Sequence, residues 1–139
     1  MSIQDILDRT FSKLPQALPC TFMGIVVLRH GELQLKAVAP RGYCRIDNFP
    51  DDAPSWEVIR SKTAGIFEAK HGPSSHVWYN AEYADMMTSF AIAPMFERAN
   101  VIGALIVGRS TEAPFSQAEL NFTSHLAEQM GIKIGRAHV

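Results

Sequence analysis

The residues best suited to chemistry lie in one short segment, 70–83, which reads KHGPSSHVWYNAEY. Its two histidines, His71 and His76, stand five positions apart, and imidazole nitrogens bind metal ions or supply an axial ligand to haem iron. No cysteine or carboxylate cluster accompanies them, and the Gly-Pro-Ser-Ser between them is typical of a turn. His76 is the better candidate because it adjoins Val77 and Trp78. The sequence nevertheless favours solvent-exposed histidines over a metal or haem site.

Cysteine chemistry is the second candidate. Cys20 and Cys44 are far apart, form no CxxC pair, and are too few for a disulfide framework, which fits a reducing compartment. Cys20 adjoins the first predicted strand, so we interpret it as a packing residue. The sequence offers no nucleophile–base pair, no spaced pair of acids and no metal-binding cluster, and we therefore predict that the protein is not an enzyme.

Charge and hydropathy narrow the class of protein further. Thirteen basic and fourteen acidic residues give a net charge of −1, with the signs interspersed. This argues against a nucleic-acid or anionic-membrane partner, because such binders carry basic patches. The longest apolar run, Phe22–Leu28, is far too short to span a membrane, and the charged start of the chain is unlike a signal peptide. We predict one cytoplasmic domain, residues 1–139.

The first third of the chain predicts a helix and a hairpin. Apolar residues in segment 3–14 recur at i, i+3 and i+4, which indicates an amphipathic helix that Pro15 ends. Segment 21–28 is continuously apolar and segment 33–39 alternates, as expected of a buried and a half-exposed strand. The short connection between them contains Gly31, which provides the positive φ of a tight hairpin.

The middle of the chain predicts a short helix and a short strand. Ser55 is a candidate cap for a helix over 56–62, which Gly65 would close. A strand over 66–69 follows, and then the aromatic segment and a helical turn before the last two strands.

The last third predicts two strands and a long helix. Segments 88–96 and 100–110 are apolar strands joined by a short connection. Ser116 and Glu119 form a capping box at the start of the final helix. Hairpins at both ends of the series favour an α+β fold, with a mainly antiparallel sheet covered by helices.

Several pieces of this sequence resemble the GAF domain family. The segment SFAIAPMFERANVIGALIVGRSTEAPFSQAELNFTSHLAEQM is similar to the family's strand ending in Pro plus an apolar residue, its hairpin into V-I-G-x-L, and its Phe-Ser loop before an acid-capped helix. AVAPRGY and SWEVIRSKTAGIFEA resemble earlier parts of the same fold. The resemblance implies a GAF-like (profilin-like) sheet. Its N- and C-terminal helices would lie on one face, and small helices and loops would cover a pocket on the other.

The resemblance also implies a sensory or regulatory role, with ligands that differ widely across the family. The sequence departs from the bilin-binding members, because Arg45 rather than a histidine follows Cys44, and two scattered cysteines do not match the methionine-R-sulfoxide reductases of the family. The signature of the cyclic-nucleotide binders is not recognisable. Arg41 and Arg45 are candidates to meet an anion at the pocket mouth. The cofactor is therefore unknown, with haem and bilin not favoured.

Strand 88–96 predicts where the pocket lies. Its side chains alternate between two faces, and one face carries small residues that leave space beside the sheet. We expect a small molecule between that face and segment 43–87, with loop 70–83 closing over it. The alternative is that aromatic rings fill the space and form a solid core. The predicted ligand-binding residues are Trp56, His76, Trp78, Tyr79, Tyr83, Met87, Ser89 and Ala91.

The terminal helices predict a homodimer. The apolar stripe of the final helix is wider than one sheet face requires, and it combines with the apolar side of the N-terminal helix. The alternative is that both helices only cover their own sheet. A ligand-free dimerisation module is accordingly the second functional hypothesis. Since no output domain follows Val139 in this sequence, we expect either a signalling partner or a longer parent protein.

Overall fold

The computed structural model describes residues 1–14, 16–41, 49, 51–68, 87–110 and 113–137. Three helices and five strands lie in these ranges. In chain order they are α1 (Ile3–Ser12), β1 (Phe22–Arg29), β2 (Glu32–Ala39), α2 (Pro54–Ser61), β3 (Gly65–Glu68), β4 (Ser89–Glu97), β5 (Asn100–Arg109) and α3 (Gln117–Ala137). The order of elements agrees with the sequence prediction; the predicted helical turn before β4 lies almost wholly outside the described residues.

Capping boxes begin both terminal helices. At α3, the Glu119 amide donates to Ser116 Oγ at 3.1 Å and the Ser116 amide donates to Glu119 Oε1 at 3.0 Å, as predicted. At α1, Ser2 and Asp5 exchange the same two hydrogen bonds, each 3.1 Å long. Each pair satisfies two amides that a helix start leaves without partners. The cap at α1 was not predicted from the sequence.

The hairpin between β1 and β2 is confirmed. His30 (φ 53°) and Gly31 (φ 77°) both adopt positive φ, which is the conformation of a type I′ turn. Arg29 and Glu32 are paired directly beside it. His30 is exposed at this turn.

Helix α2 differs from its prediction at both ends. Ser55 does not cap it: the helix begins at Pro54, with Ala53 at the N-cap and no capping side chain, and Ser55 is buried in the first turn. Proline favours this position because its fixed φ suits the first helical residue and its missing N–H costs no bond there. Gly65 does not close the helix either; Lys62 does so in the left-handed conformation, and Gly65 begins β3.

The five strands form one antiparallel sheet in the order β2-β1-β5-β4-β3. This confirms the predicted fold class. Helices α1 and α3 pack on one face, which we call the helix face, and α2 packs on the other, which we call the α2 face. Each face has its own apolar cluster, so the sheet is the middle of three layers.

The small residues of β4 lie on the helix face, so the prediction that they line the ligand pocket was wrong. Ala91, Ala93 and Met95 are fully buried in the cluster formed with α1 and α3. Phe90 and Ile92, the alternate side chains, lie on the α2 face. The space left by small side chains is therefore occupied by a helix of the same chain.

Helix α3 comes unusually close to β4 at Gly131. A Cβ atom at this position would lie 2.6 Å from the carbonyl oxygen of Phe96 and 3.0 Å from its amide nitrogen. Any side chain would push the helix away from the strand, since neither backbone atom can rotate aside. The glycine on the helix therefore allows this contact with the Phe96 backbone.

Candidate functional site

An aromatic row crosses the α2 face of the sheet. In register, Phe22 of β1 lies opposite Gly108 of β5, Gly108 opposite Phe90 of β4, and Phe90 opposite Phe67 of β3. Phe22 and Phe90 are buried, and Phe67 packs against the same cluster half-buried. Phenylalanines on three of four adjacent strands thus form an apolar floor, and the fourth strand contributes a glycine between Phe22 and Phe90.

Gly108 is the one position in the row without a side chain. A Cβ atom there would lie 2.9 Å from Cε1 of Phe90 and 3.4 Å from the sulfur of Met87. The Phe90 ring and the Met87 thioether therefore lean over the glycine. Flexible methionine beside aromatic rings suits a surface that adapts to what binds it.

Helix α2 forms one wall above this floor. Its buried side presents Val58 and Ile59 to the sheet, while Trp56 packs half-buried against the same cluster. The Arg60 guanidinium lies 4.9 Å from the centre of the Trp56 ring, within range of a cation–π contact. The indole is held between the cluster and this cation.

The indole nitrogen of Trp56 is a buried donor without a partner. Nε1 is shielded from solvent and forms no hydrogen bond with a described residue. A buried N–H that makes no hydrogen bond costs about 1–3 kcal/mol, so native proteins seldom leave one in this state. A bound molecule with an acceptor oxygen or nitrogen would remove this cost.

Four of the eight predicted ligand-binding residues lie within the described ranges, and they divide between the two faces of the sheet. Trp56 and Met87 belong to the α2 face. Ala91 lies on the helix face, and Ser89 follows it by strand alternation, with its hydroxyl buried and without a partner among the described residues. The other four lie outside the described residues: His76, Trp78, Tyr79 and Tyr83. The phenylalanine floor was not predicted from the sequence, because only strand register brings its residues together.

On the helix face, Arg109 joins the end of β5 to the start of α3. Its guanidinium pairs with both carboxylate oxygens of Glu119 and donates from Nη2 to the carbonyl oxygen of Pro19 at 2.9 Å. It also stacks 3.9 Å from the centre of the Phe115 ring. The Arg109 hydrogen bond, with the Ser116 amide second, holds the pKa of Glu119 below its usual value. Arg109 directly follows Gly108, so the floor and this ion pair occupy adjacent residues of one strand.

Two of the other candidate residues, Cys20 and Arg41, lie within the described ranges. Burial raises the pKa of the Cys20 thiol to about 11, which keeps it protonated and unreactive at neutral pH. Arg41 pairs with Asp8 of α1 at 2.8 Å on the surface, and Cys44 and Arg45 lie outside the described residues. Within the described ranges, no three His, Cys, Asp or Glu side chains stand close enough together to hold a metal ion. The described helices also include none with the length and apolarity to cross a membrane.

A family model described as GAF domain matches residues 1–134. The chain belongs to the GAF domain family. GAF domains are generally sensory or regulatory modules, and the predicted family is thereby confirmed. No curated protein matches the chain.

Solved structures of other GAF proteins share this fold over nearly the whole chain. A GAF domain of a two-component sensor histidine kinase from Bacillus halodurans is 20% identical, with a TM-score of 0.78, covering 99% of this chain and 96% of that one. A type II free methionine-R-sulfoxide reductase from Thermoplasma acidophilum is 18% identical, with a TM-score of 0.76 and coverage of 96% and 93%. A phycocyanobilin-bound GAF domain from a cyanobacterial phytochrome is 21% identical, with a TM-score of 0.69 and coverage of 99% and 87%. At these identities the likeness is one of fold.

Proposed function

We propose that this GAF domain is a non-catalytic sensor that binds a small molecule on the α2 face of its sheet, between the phenylalanine floor and segment 43–87. The observation that carries the proposal is the unpartnered indole N–H of Trp56 beside that floor. Small-molecule sites are mostly apolar and contain a few polar groups that fix orientation. The floor supplies the apolar part and Trp56 supplies a donor.

The chemistry of the site favours a flat or aromatic ligand with a hydrogen-bond acceptor. Half-buried Phe67 offers a ring face or edge to such a molecule, the buried rings of Phe22 and Phe90 continue the apolar row beside it, and Trp56 donates to its acceptor. Arg60 beside the indole favours an acceptor with negative charge. The predicted lid, loop 70–83, belongs to the same proposal.

The route from the ligand to the terminal helices runs through two pairs of consecutive residues, Met87–Thr88 and Gly108–Arg109. Met87 and Gly108, the first of each pair, lie at the phenylalanine floor. Their neighbours Thr88 and Arg109 are joined by hydrogen bonds of 2.9 and 3.1 Å from the Thr88 amide and hydroxyl to the Arg109 carbonyl oxygen. A ligand that displaces Met87 would shift this connection and, through the Arg109 ion pair, the start of α3. Such coupling requires that the ligand bind one arrangement better than the other.

Native mass spectrometry against a library of cellular metabolites tests the proposal. We expect a one-to-one adduct with the wild-type chain, weakened about 5- to 20-fold by Trp56→Phe, which keeps a ring and removes the donor. Val38→Ala is the matched control, because Val38 packs half-buried against the same cluster from β2. The proposal fails if no metabolite binds, or if both variants weaken the adduct equally.

A ligand-free structural module is the second candidate, and one observation favours it. The Phe90 ring and the Met87 sulfur already lean over Gly108 and occupy part of the gap in the floor. In that function the domain would act through self-association. The cytoplasm is the compartment that we propose in either function, on the basis of cysteine usage.

Self-association through the terminal helices stays a prediction. Seven apolar residues of the two terminal helices form the predicted seam; four of them are buried in the monomer's own helix-face cluster, and the other three pack half-buried against it. The buried four are Ile3, Leu7, Leu120 and Met130, and the half-buried three are Phe11, Phe122 and Leu126. On the outward side of α3, Ile132 is 52% exposed and marks the surface through which we propose that a homodimer forms.

A further inference from the structure

A groove runs along the outside of the molecule between α1 and α3, on the side away from the sheet. Its volume is about 650 Å³. This is large enough for a row of side chains from another helix, and both walls are helical. The lining residues are Met1, Ile6, Arg9, Thr10, Lys13, Leu14, Leu126, Gln129, Lys133 and Arg136.

Four of these lining residues are cations and none is an anion. Arg9 and Lys13 come from the α1 wall, and Lys133 and Arg136 come from the α3 wall. None of the four forms an ion pair with another described residue, whereas Arg41 and Arg109 both do. The whole chain has a net charge of −1, so this concentration of positive charge is local and the rest of the chain is net acidic.

Helix electrostatics explains only part of this pattern. Cations near the C-terminal end of a helix stabilise it, and Arg9 and Arg136 occupy the last turns of α1 and α3. That effect does not require the four cations to border one groove. Nor does it account for the apolar base of the groove between these cations, which is formed by Ile6, Leu14 and half-buried Leu126.

We propose that this groove binds an acidic amphipathic helix of a partner protein. An apolar stripe on such a helix would lie on the apolar base of the groove, and carboxylates on both sides of the stripe would meet the cations of both walls. A second copy of this chain fits poorly, because two grooves facing each other would bring eight cations together. The homodimer proposed above is centred on Ile132, which is one helical turn from both Gln129 and Arg136, so that contact would border the groove without requiring two grooves to face each other. The groove and the ligand site lie on opposite faces of the sheet, and each proposal can fail without the other.

The test uses a fluorescein-labelled synthetic helix of about 16 residues, long enough to form helix in water when capped. It carries leucines at i, i+3, i+4 and i+7 with glutamates on both flanks. A second peptide has lysine at every glutamate position and the same leucines. We expect the acidic peptide to bind the wild-type chain at least about 10-fold more tightly than the basic one by fluorescence anisotropy, and more weakly as salt rises.

Charge reversal in each wall locates the binding. We expect Lys133→Glu with Arg136→Glu, and Arg9→Glu with Lys13→Glu, each to weaken acidic-peptide binding by roughly 10-fold. The control, Lys36→Glu, reverses an exposed charge on β2 outside the groove and should leave binding unchanged. If a reversed variant fails to fold by circular dichroism, the same positions changed to glutamine should weaken binding by a smaller factor.

Three results would overturn the proposal. The acidic and basic peptides could bind equally, or the Lys36 control could lose as much affinity as the groove variants. Light scattering could also show that the groove variants lose a dimer that the wild-type chain forms. That third result would identify a second copy as the occupant of the groove.

Discussion

The close contact between α3 and β4 at Gly131 can be tested by a single methyl group. In Gly131→Ala, the new Cβ would lie 2.6 Å from the Phe96 carbonyl oxygen, whereas ordinary contacts begin at 3.4 Å. Helix and strand would have to separate by about 0.8 Å. Overpacking of this kind costs about 1–3 kcal/mol, and the obstacle is backbone, which places the cost in the upper part of that range. Alanine is also more favourable than glycine in a helix interior by up to about 1 kcal/mol, which offsets part of this cost. The expected net loss of unfolding free energy is therefore about 1–2 kcal/mol.

Gly135, one turn further along α3, is the matched control. A Cβ there would meet Cδ and Cγ of Glu97 at 3.0 and 3.1 Å, and this partly exposed side chain can move aside. Gly135→Ala should therefore be neutral or stabilising by up to about 0.5 kcal/mol. Urea denaturation measures both variants, and Gly131→Ala should also lower the Tm by roughly 4–8 °C. Equal stabilisation by the two substitutions would refute the close approach of α3 to the Phe96 backbone.

Three further predictions concern the start of α3 and the oligomeric state. Arg109→Met should lower the free energy of unfolding by about 2–3 kcal/mol, because it leaves Glu119 without its cation and Pro19 without a donor; a change below about 0.5 kcal/mol in urea denaturation would contradict the role of the pair. Because the folded-state pKa of Glu119 is lowered, its contribution is complete above the unfolded value near 4.5 and is lost as the pH falls through the folded value. The stability difference between wild type and Glu119→Gln, about 1 kcal/mol at pH 7, should therefore shrink at pH 3, and a constant difference would argue against the ion pair. Ile132→Glu should convert a dimer into a species of 15.4 kDa in light scattering, and a wild-type chain that already has this mass at micromolar concentration would end the dimer prediction.

Local signals in the sequence predicted the local structure well. The capping box at Ser116 and Glu119 and the tight turn at Gly31 each depend on a few neighbouring residues, and the structure has both. The predicted start of α2 was wrong because two local signals favour different first residues. Pro54 occupies the first helical position, so Ser55 lies inside the first turn and its hydroxyl is not at the N-cap.

The orientation of β4 could not be read from its alternation alone. A period of two divides the side chains into two sets, but it does not say which set faces which layer. Small residues are compatible with space for a ligand and equally with a closely packed helix. Gly131 was the residue in the sequence that indicated a closely packed helix, because a glycine within a long helix often marks a close contact.

The phenylalanine floor depends on contacts that are distant in the sequence. The pairing of β1 with β5 brings Phe22 and Gly108 together, and no sequence pattern near either residue predicts this pairing. The same is true of the unpartnered Trp56 nitrogen, since burial and the lack of a bond are properties of the fold. The sequence could nominate Trp56 as an aromatic residue near a pocket, but not as a donor in need of an acceptor.

Methyl NMR tests the central claim most directly, because β4, β5 and Met87 just before β4 carry reporter methyl groups on both faces of the sheet. Ile92, Ile106 and Met87 report on the α2 face, while Met95 and Leu105 report on the helix face. Spectra of the labelled chain are recorded with pools of cellular metabolites. We predict that the molecule that binds shifts the three α2-face methyl signals most. Larger shifts at Met95 and Leu105, or spectra that no pool changes, would contradict ligand binding on the α2 face.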